Sequence, residues 1–70
     1  MENMVYYITV VNGNNRRIIS KHENLAEALE KGKSVFKTTG KDELVDCISG
    51  EIDENGKIIG KYRLIQTWFK

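Results

Sequence analysis

The sequence predicts an α+β domain of ββαββ order: a four-stranded antiparallel sheet of two hairpins with one helix packed on one face. Three observations carry this expectation. Two stretches rich in β-branched and aromatic residues are each interrupted by an Asn-Gly, one amphipathic stripe at helical spacing lies between them, and the polar turn Asp53-Glu54-Asn55-Gly56 closes the second hairpin. Two packed layers are the minimum that gives such a chain a core.

The first strand is Met4 to Val11, dense in Val, Ile, Thr and Tyr. Both of its faces are apolar, so it is expected inside the sheet. Asn12-Gly13-Asn14-Asn15 supplies residues that tolerate positive φ, and Arg16 to His22 reads as the return strand. Turns centred on Asn12-Gly13, on Gly13-Asn14 or on three residues all fit, which leaves open whether Ile18 or Ile19 faces the core.

The helix is expected from Leu25 to Lys37 or Thr38. Asn24 can cap its first turn and Glu27 follows three residues on, a variant of the capping box. Leu25, Ala28, Leu29, Gly32, Val35 and Phe36 form one stripe at spacings of three and four, opposite Glu27, Glu30, Lys31, Lys33, Ser34 and Lys37. Gly40 offers a stop. Gly inside a helix costs about 1 kcal/mol relative to Ala, so Gly32 needs a packing reason; it is expected to meet Gly50 and Gly60 where helix and sheet cross.

Asp42 to Lys70 forms the second hairpin. A type I turn with Gly56 in a G1 bulge places Asp53 opposite Lys57, Ile52 opposite Ile58, Gly50 opposite Gly60, Ile48 opposite Tyr62 and Asp46 opposite Leu64. Alternation then gives the even face Leu44, Ile48, Ile52, Ile58, Tyr62, Leu64 and Trp68, expected to receive the helix. Asp46 intrudes on that face and needs a partner. The odd face, with Val45, Cys47, Ser49, Ile59, Lys61, Arg63, Ile65 and Thr67, is the wetter one.

At 70 residues the chain is read as a single small domain spanning 1–70. Its formal net charge is +1, but charge comes in blocks: Arg16 to Lys41 holds seven basic and three acidic residues, Asp42 to Gly56 six acidic residues, and Lys57 to Lys70 four basic ones. An acidic third strand beside a basic fourth is mildly stabilising, and an overall basic footprint for nucleic acid is missing. Cys47 is the sole cysteine, which excludes a disulfide framework. No stretch approaches the ~18 apolar residues of a membrane span, and the N-terminal residues lack a signal-peptide pattern. A cytoplasmic location and no membrane association are expected. Abundant Lys, Asn and Ile, with no Pro, suggest an AT-rich coding sequence, as in a low-GC bacterium or mobile element.

Catalytic chemistry finds few parts. The glycines match neither dinucleotide-binding nor P-loop spacing. One His and one Cys do not make a zinc site, and Asp53-Glu54-Asn55-Gly56 lacks the remaining ligands of a calcium loop. Cys47 with His22 is the one candidate nucleophile and base, and Cys47 reads more simply as a small strand hydrophobe. The chain is therefore expected not to be an enzyme and to carry no cofactor or metal. Two binding functions remain. The first is a protein-interaction or homodimerisation module using the helix-free face, with Tyr7, Val45, Ile59, Lys61, Arg63 and Ile65 as an apolar centre with a basic rim. The second is nucleic-acid binding, with Arg16, Arg17, Lys61 and Arg63 near strand aromatics such as Tyr6, Tyr7, Tyr62 and Trp68.

Overall fold

A computed structural model of the protein describes residues 5–55 and 57–69, and the side chains of all of these except Ile52 and Ile58. Its elements are β1 (Tyr6–Asn12), β2 (Asn15–His22), α1 (Leu25–Phe36), β3 (Glu43–Ile52) and β4 (Ile58–Trp68). The four strands form one antiparallel sheet in the order β2-β1-β3-β4, with α1 against it, so the expected ββαββ architecture is present.

β1 lies in the interior of the sheet, as its two apolar faces require, and Tyr7, Ile8, Thr9 and Val10 are all buried. The first turn resolves the three alternatives. Asn12 pairs with Asn15, so Gly13 and Asn14 form a two-residue loop in which Gly13 takes φ of 61° while Asn14 stays negative. That is the type II′ pattern, whose twist matches the flanking strands. Ile19 is skipped in the pairing of Ile8 with Ser20 and Thr9 with Ile18; this bulge leaves Ile19 outside and Ile18 half-buried opposite Thr9.

The α1 start is the expected one: the Asn24 side-chain oxygen accepts from the Glu27 N–H at 3.1 Å. Its end differs. Gly40 does not provide a left-handed stop; Thr38 and Thr39 close the helix instead, their hydroxyls donating to the Val35 and Phe36 carbonyls at 2.9 and 2.8 Å. These carbonyls are among the acceptors a helix end leaves unpaired, and two consecutive threonines satisfy them without glycine.

The second hairpin follows the expected register only near its turn. Gly56 lies outside the described residues, but Asp53 shapes the loop around it: its N–H donates to the Lys57 carbonyl at 2.8 Å, and its carboxylate accepts from the Asn55 and Lys57 N–H groups at 2.9 Å. Ile52 pairs with Ile58 as expected. Beyond that, two irregularities intervene. Gly60, Lys61 and Tyr62 stand opposite Gly50 alone, and Ile65 is skipped between the Ile48–Leu64 and Cys47–Gln66 pairs.

These bulges overturn the assignment of faces. The helix-side core is Ile8, Val10, Ala28, Val45 and Cys47, with Tyr6, Leu29, Val35, Phe36, Ile65 and Trp68 packed against it. The helix thus covers the odd side of β3. Leu44, Ile48, Tyr62 and Leu64, expected beneath it, lie on the helix-free side. The skipped residue at Ile65 reverses the phase of β4, so that Trp68, opposite Val45, reaches the helix side while Leu64 does not. Small side chains explain the choice: Cys47 and Val45 below, and Ala28 and Gly32 above, allow closer approach than Leu44 and Ile48 would.

Gly32 has a different partner from the one expected. A Cβ there would collide with the Trp68 ring, whereas Gly50 lies against the Cβ of Tyr62, 3.1 Å from where its own Cβ would be. The three glycines do not meet. For Gly32→Ala, the helical gain of about 1 kcal/mol is set against overpacking that costs about 1–3 kcal/mol, because the indole is rigid and wedged in the core. Gly32→Ala is expected to be destabilising in urea denaturation, and to become neutral or stabilising in a Trp68→Leu background. Equal effects in both backgrounds would show that Trp68 does not limit this position.

Candidate functional site

Among the described residues nothing forms a second layer on the helix-free side, yet its centre is not open. Tyr7, Thr9, Asp46 and Ile48 are all buried, with Tyr7 at 4 % exposure and Ile48 at 0 %. Pairing sets them in adjoining rows, Tyr7 beside Ile48 and Thr9 beside Asp46. Side chains from the two edges of the sheet meet over this side. Arg16 leaves β2 opposite Val11, crosses β1, and donates from Nη2 to Asp46 Oδ2 on β3 at 3.0 Å. From the other edge, Tyr62 of β4 lays its ring against the same guanidinium, 5.2 Å from the ring centroid to Cζ. Tyr62 starts beside Gly50 and ends at a group held by Asp46, so its side chain spans the row of Ile48. Contact between edge strands of a four-stranded sheet requires the sheet to curl, and the bulge opposite Gly50, with Gly60 at φ of 68°, supplies that bend in β4.

The electrostatics follow from burial. Asp46 retains 7 % of its side-chain exposure and Arg16 27 %. A carboxylate so covered needs a cation and hydrogen bonds, and Arg16 supplies both, with the Tyr62 ring completing the guanidinium's apolar flank. The Thr9 hydroxyl beside it is buried without a hydrogen-bond partner among the described residues. Burial also pushes the Cys47 thiol up from its ordinary pKa, the direction opposite to that of an activated nucleophile.

The residues singled out from sequence fall in several places. Val45 is fully buried beneath the helix and Ile65 packs into the same cluster, so both leave the proposed interface; the helix covers the odd side of β3, and the bulge in β4 turns Ile65 to that side. Tyr7 is on the helix-free side as expected, but as part of its buried floor. Ile59, Lys61 and Arg63 are exposed along β4, with Arg63 opposite Ser49. Of the basic set, Arg17 is exposed on β2, opposite Val10, while Arg16 is committed to Asp46 and Tyr62. The aromatics do not form a stacking platform: Tyr6 and Trp68 pack against the helix-side core and Tyr7 is buried.

His22 and Cys47 are not brought together, since β1 separates their strands. His22 instead has its Nε2 2.8 Å from Ser20 Oγ, two residues back on β2. Among the described residues no group of three or more His, Cys, Asp or Glu side chains is placed to hold a metal ion.

Two residues that the sequence assigns to the core, Tyr62 and Leu64, are instead exposed apolar side chains on the helix-free side, at 46 % and 55 % exposure. The signal for this was Asp46, whose place on an apolar face demanded either a partner or another register; both proved true. Comparison with protein-family models, with curated proteins and with solved structures finds no significant match.

The Arg16–Asp46 pair should behave as a buried one. Arg16→Ala leaves Asp46 covered and unpaired and is expected to destabilise by about 1–3 kcal/mol in urea denaturation, the partial exposure of Arg16 keeping it at the low end of such losses. Arg16→Met combined with Asp46→Leu removes both charges and is expected to lie close to wild type. If Arg16→Ala alone were as stable as wild type, the pair would not carry the cover of this face.

Proposed function

We propose that the protein is a non-catalytic interaction module that binds another protein on the helix-free side of its sheet, at Tyr62 and Leu64. The observation that carries this reading is the pair of large apolar side chains left half-exposed on the side that no helix covers. Tyrosine in such a position offers a rigid apolar surface with a polar tip, as binding surfaces favour.

The chemistry of the partner follows from the rim. Both edge strands are basic, with Arg16, Arg17 and Lys21 on β2 and Lys57, Lys61 and Arg63 on or beside β4; Arg16 and Lys21, opposite Val11 and Tyr7, belong to the helix-free side, whereas Arg17, opposite Val10, and Arg63, opposite Ser49, belong to the helix side. A segment with apolar side chains flanked by carboxylates complements this surface. A second copy of the chain fits less well. Each edge strand carries a bulge as well as like charge, and both features oppose strand-to-strand pairing.

Selection of a random peptide library on the immobilised protein tests the reading, with recovered peptides titrated against wild type and against Tyr62→Ser/Leu64→Ser. The expected peptides hold one or two apolar residues beside Asp or Glu, and the double substitution weakens them at least tenfold. Recovery of no binders, of basic sequences, or of peptides that bind the double variant equally well would overturn it.

A further inference from the structure

The cover over the helix-free side differs in kind from the core beneath the helix. On the helix side, whole elements pack through apolar contacts. On the other side, a polar cluster bridges the sheet: the Arg16 guanidinium, anchored on Asp46 at 3.0 Å and capped by the Tyr62 ring. Both Arg16 and Tyr62 come from edge strands, and both keep part of their surface in water. On the same side lie Tyr7, Ile48 and the Thr9 hydroxyl, which has no hydrogen-bond partner among the described residues, all fully or almost fully shielded. Arg16 and Tyr62 are held there by side-chain contacts alone, so they can leave by side-chain rotation while the strands stay paired.

We propose that Arg16 and Tyr62 form a strap over a concealed apolar site, whose floor is Tyr7 and Ile48 with Thr9 Oγ1 as a hydrogen-bonding point. When the strap is released, the floor takes a planar apolar group carrying one hydrogen-bonding atom. The backbone that would border this site is already shaped for it. Gly50 has no side chain at the place where Tyr62 leaves β4, and Gly60, with open space around its missing Cβ, sets the bend two residues before Tyr62. Asp46 is the anchor, so the strap is held by charge and hydrogen bonding, and substitutions that spare the helix-side core should release it. This inference concerns the protein alone and stands apart from the identity of any partner.

Nile red binding tests it, because the dye is planar, apolar and neutral, so that loss of the Arg16 charge does not by itself alter its attraction to the protein. Fluorescence titrations would compare wild type with Arg16→Ala, Tyr62→Ala and, as a control for general loosening, Val35→Ala on the helix side. Each variant is first confirmed as folded by far-UV circular dichroism and a cooperative melt. Both strap variants are expected to bind the dye at least fivefold more tightly than wild type, and Val35→Ala to match wild type. Should Arg16→Ala fail to fold, Arg16→Gln takes its place beside Tyr62→Ala. Folded strap variants that bind no more dye than wild type, or an equal gain in Val35→Ala, would overturn the proposal.

Discussion

The position of Trp68 beneath Gly32 is the constraint on which the other features depend. An indole in the sheet can sit against the helix only if the residue above it has no side chain, and Gly32 meets that condition. For Trp68 to reach this place, β4 must change phase relative to Leu64, and the skipped residue at Ile65 does so. Once Trp68 is on the helix side, Leu64 and Tyr62 are committed to the other. The helix then rests on the smaller residues of β3, Val45 and Cys47, and Asp46 is left facing away from it with apolar neighbours. Arg16 resolves that last difficulty by crossing from the far edge of the sheet.

Much of this was legible in the residues. The order of elements, the interior position of β1, the Asn24 cap, the apolar stripe of α1 and the Asp53 loop all rest on local rules, and local rules suffice where the chain itself supplies the competing partners. The faces of the second hairpin were not legible for a physical reason. A register carried from the turn assumes that strands stay in step, whereas Gly50 and Gly60 weaken the ladder and Ile65 leaves it for the core. Whether a bulge forms at such residues is decided by what the helix needs from the opposite side, which is tertiary information. The exposed pair Tyr62 and Leu64 was missed by the same error, since each was counted as core by extension from Ile48. Asp46 was the residue at which the local pattern disagreed with itself.

The distribution of charge has two consequences at once. Acidic β3 lies inside the sheet, next to basic β4, which favours the native pairing. Lysines and arginines on both outer strands, together with a bulge in each, discourage pairing with a further strand. The helix-free side, where Tyr62 and Leu64 present apolar surface beside Arg16, is the surface proposed for a partner. The same cluster closes the face of the isolated chain and borders the surface proposed for a partner.

The central claim is that the helix covers the odd side of β3, with Trp68 against α1 and Tyr62 against Arg16. A nuclear Overhauser spectrum of the protein tests it most directly. Contacts from the Trp68 indole protons to the Gly32 α-protons, and from the Tyr62 ring to the Arg16 δ-protons, are the expected result. Contacts from the Tyr62 or Leu64 side chains to Ala28 and Gly32, with none from Trp68 to the helix, would contradict it.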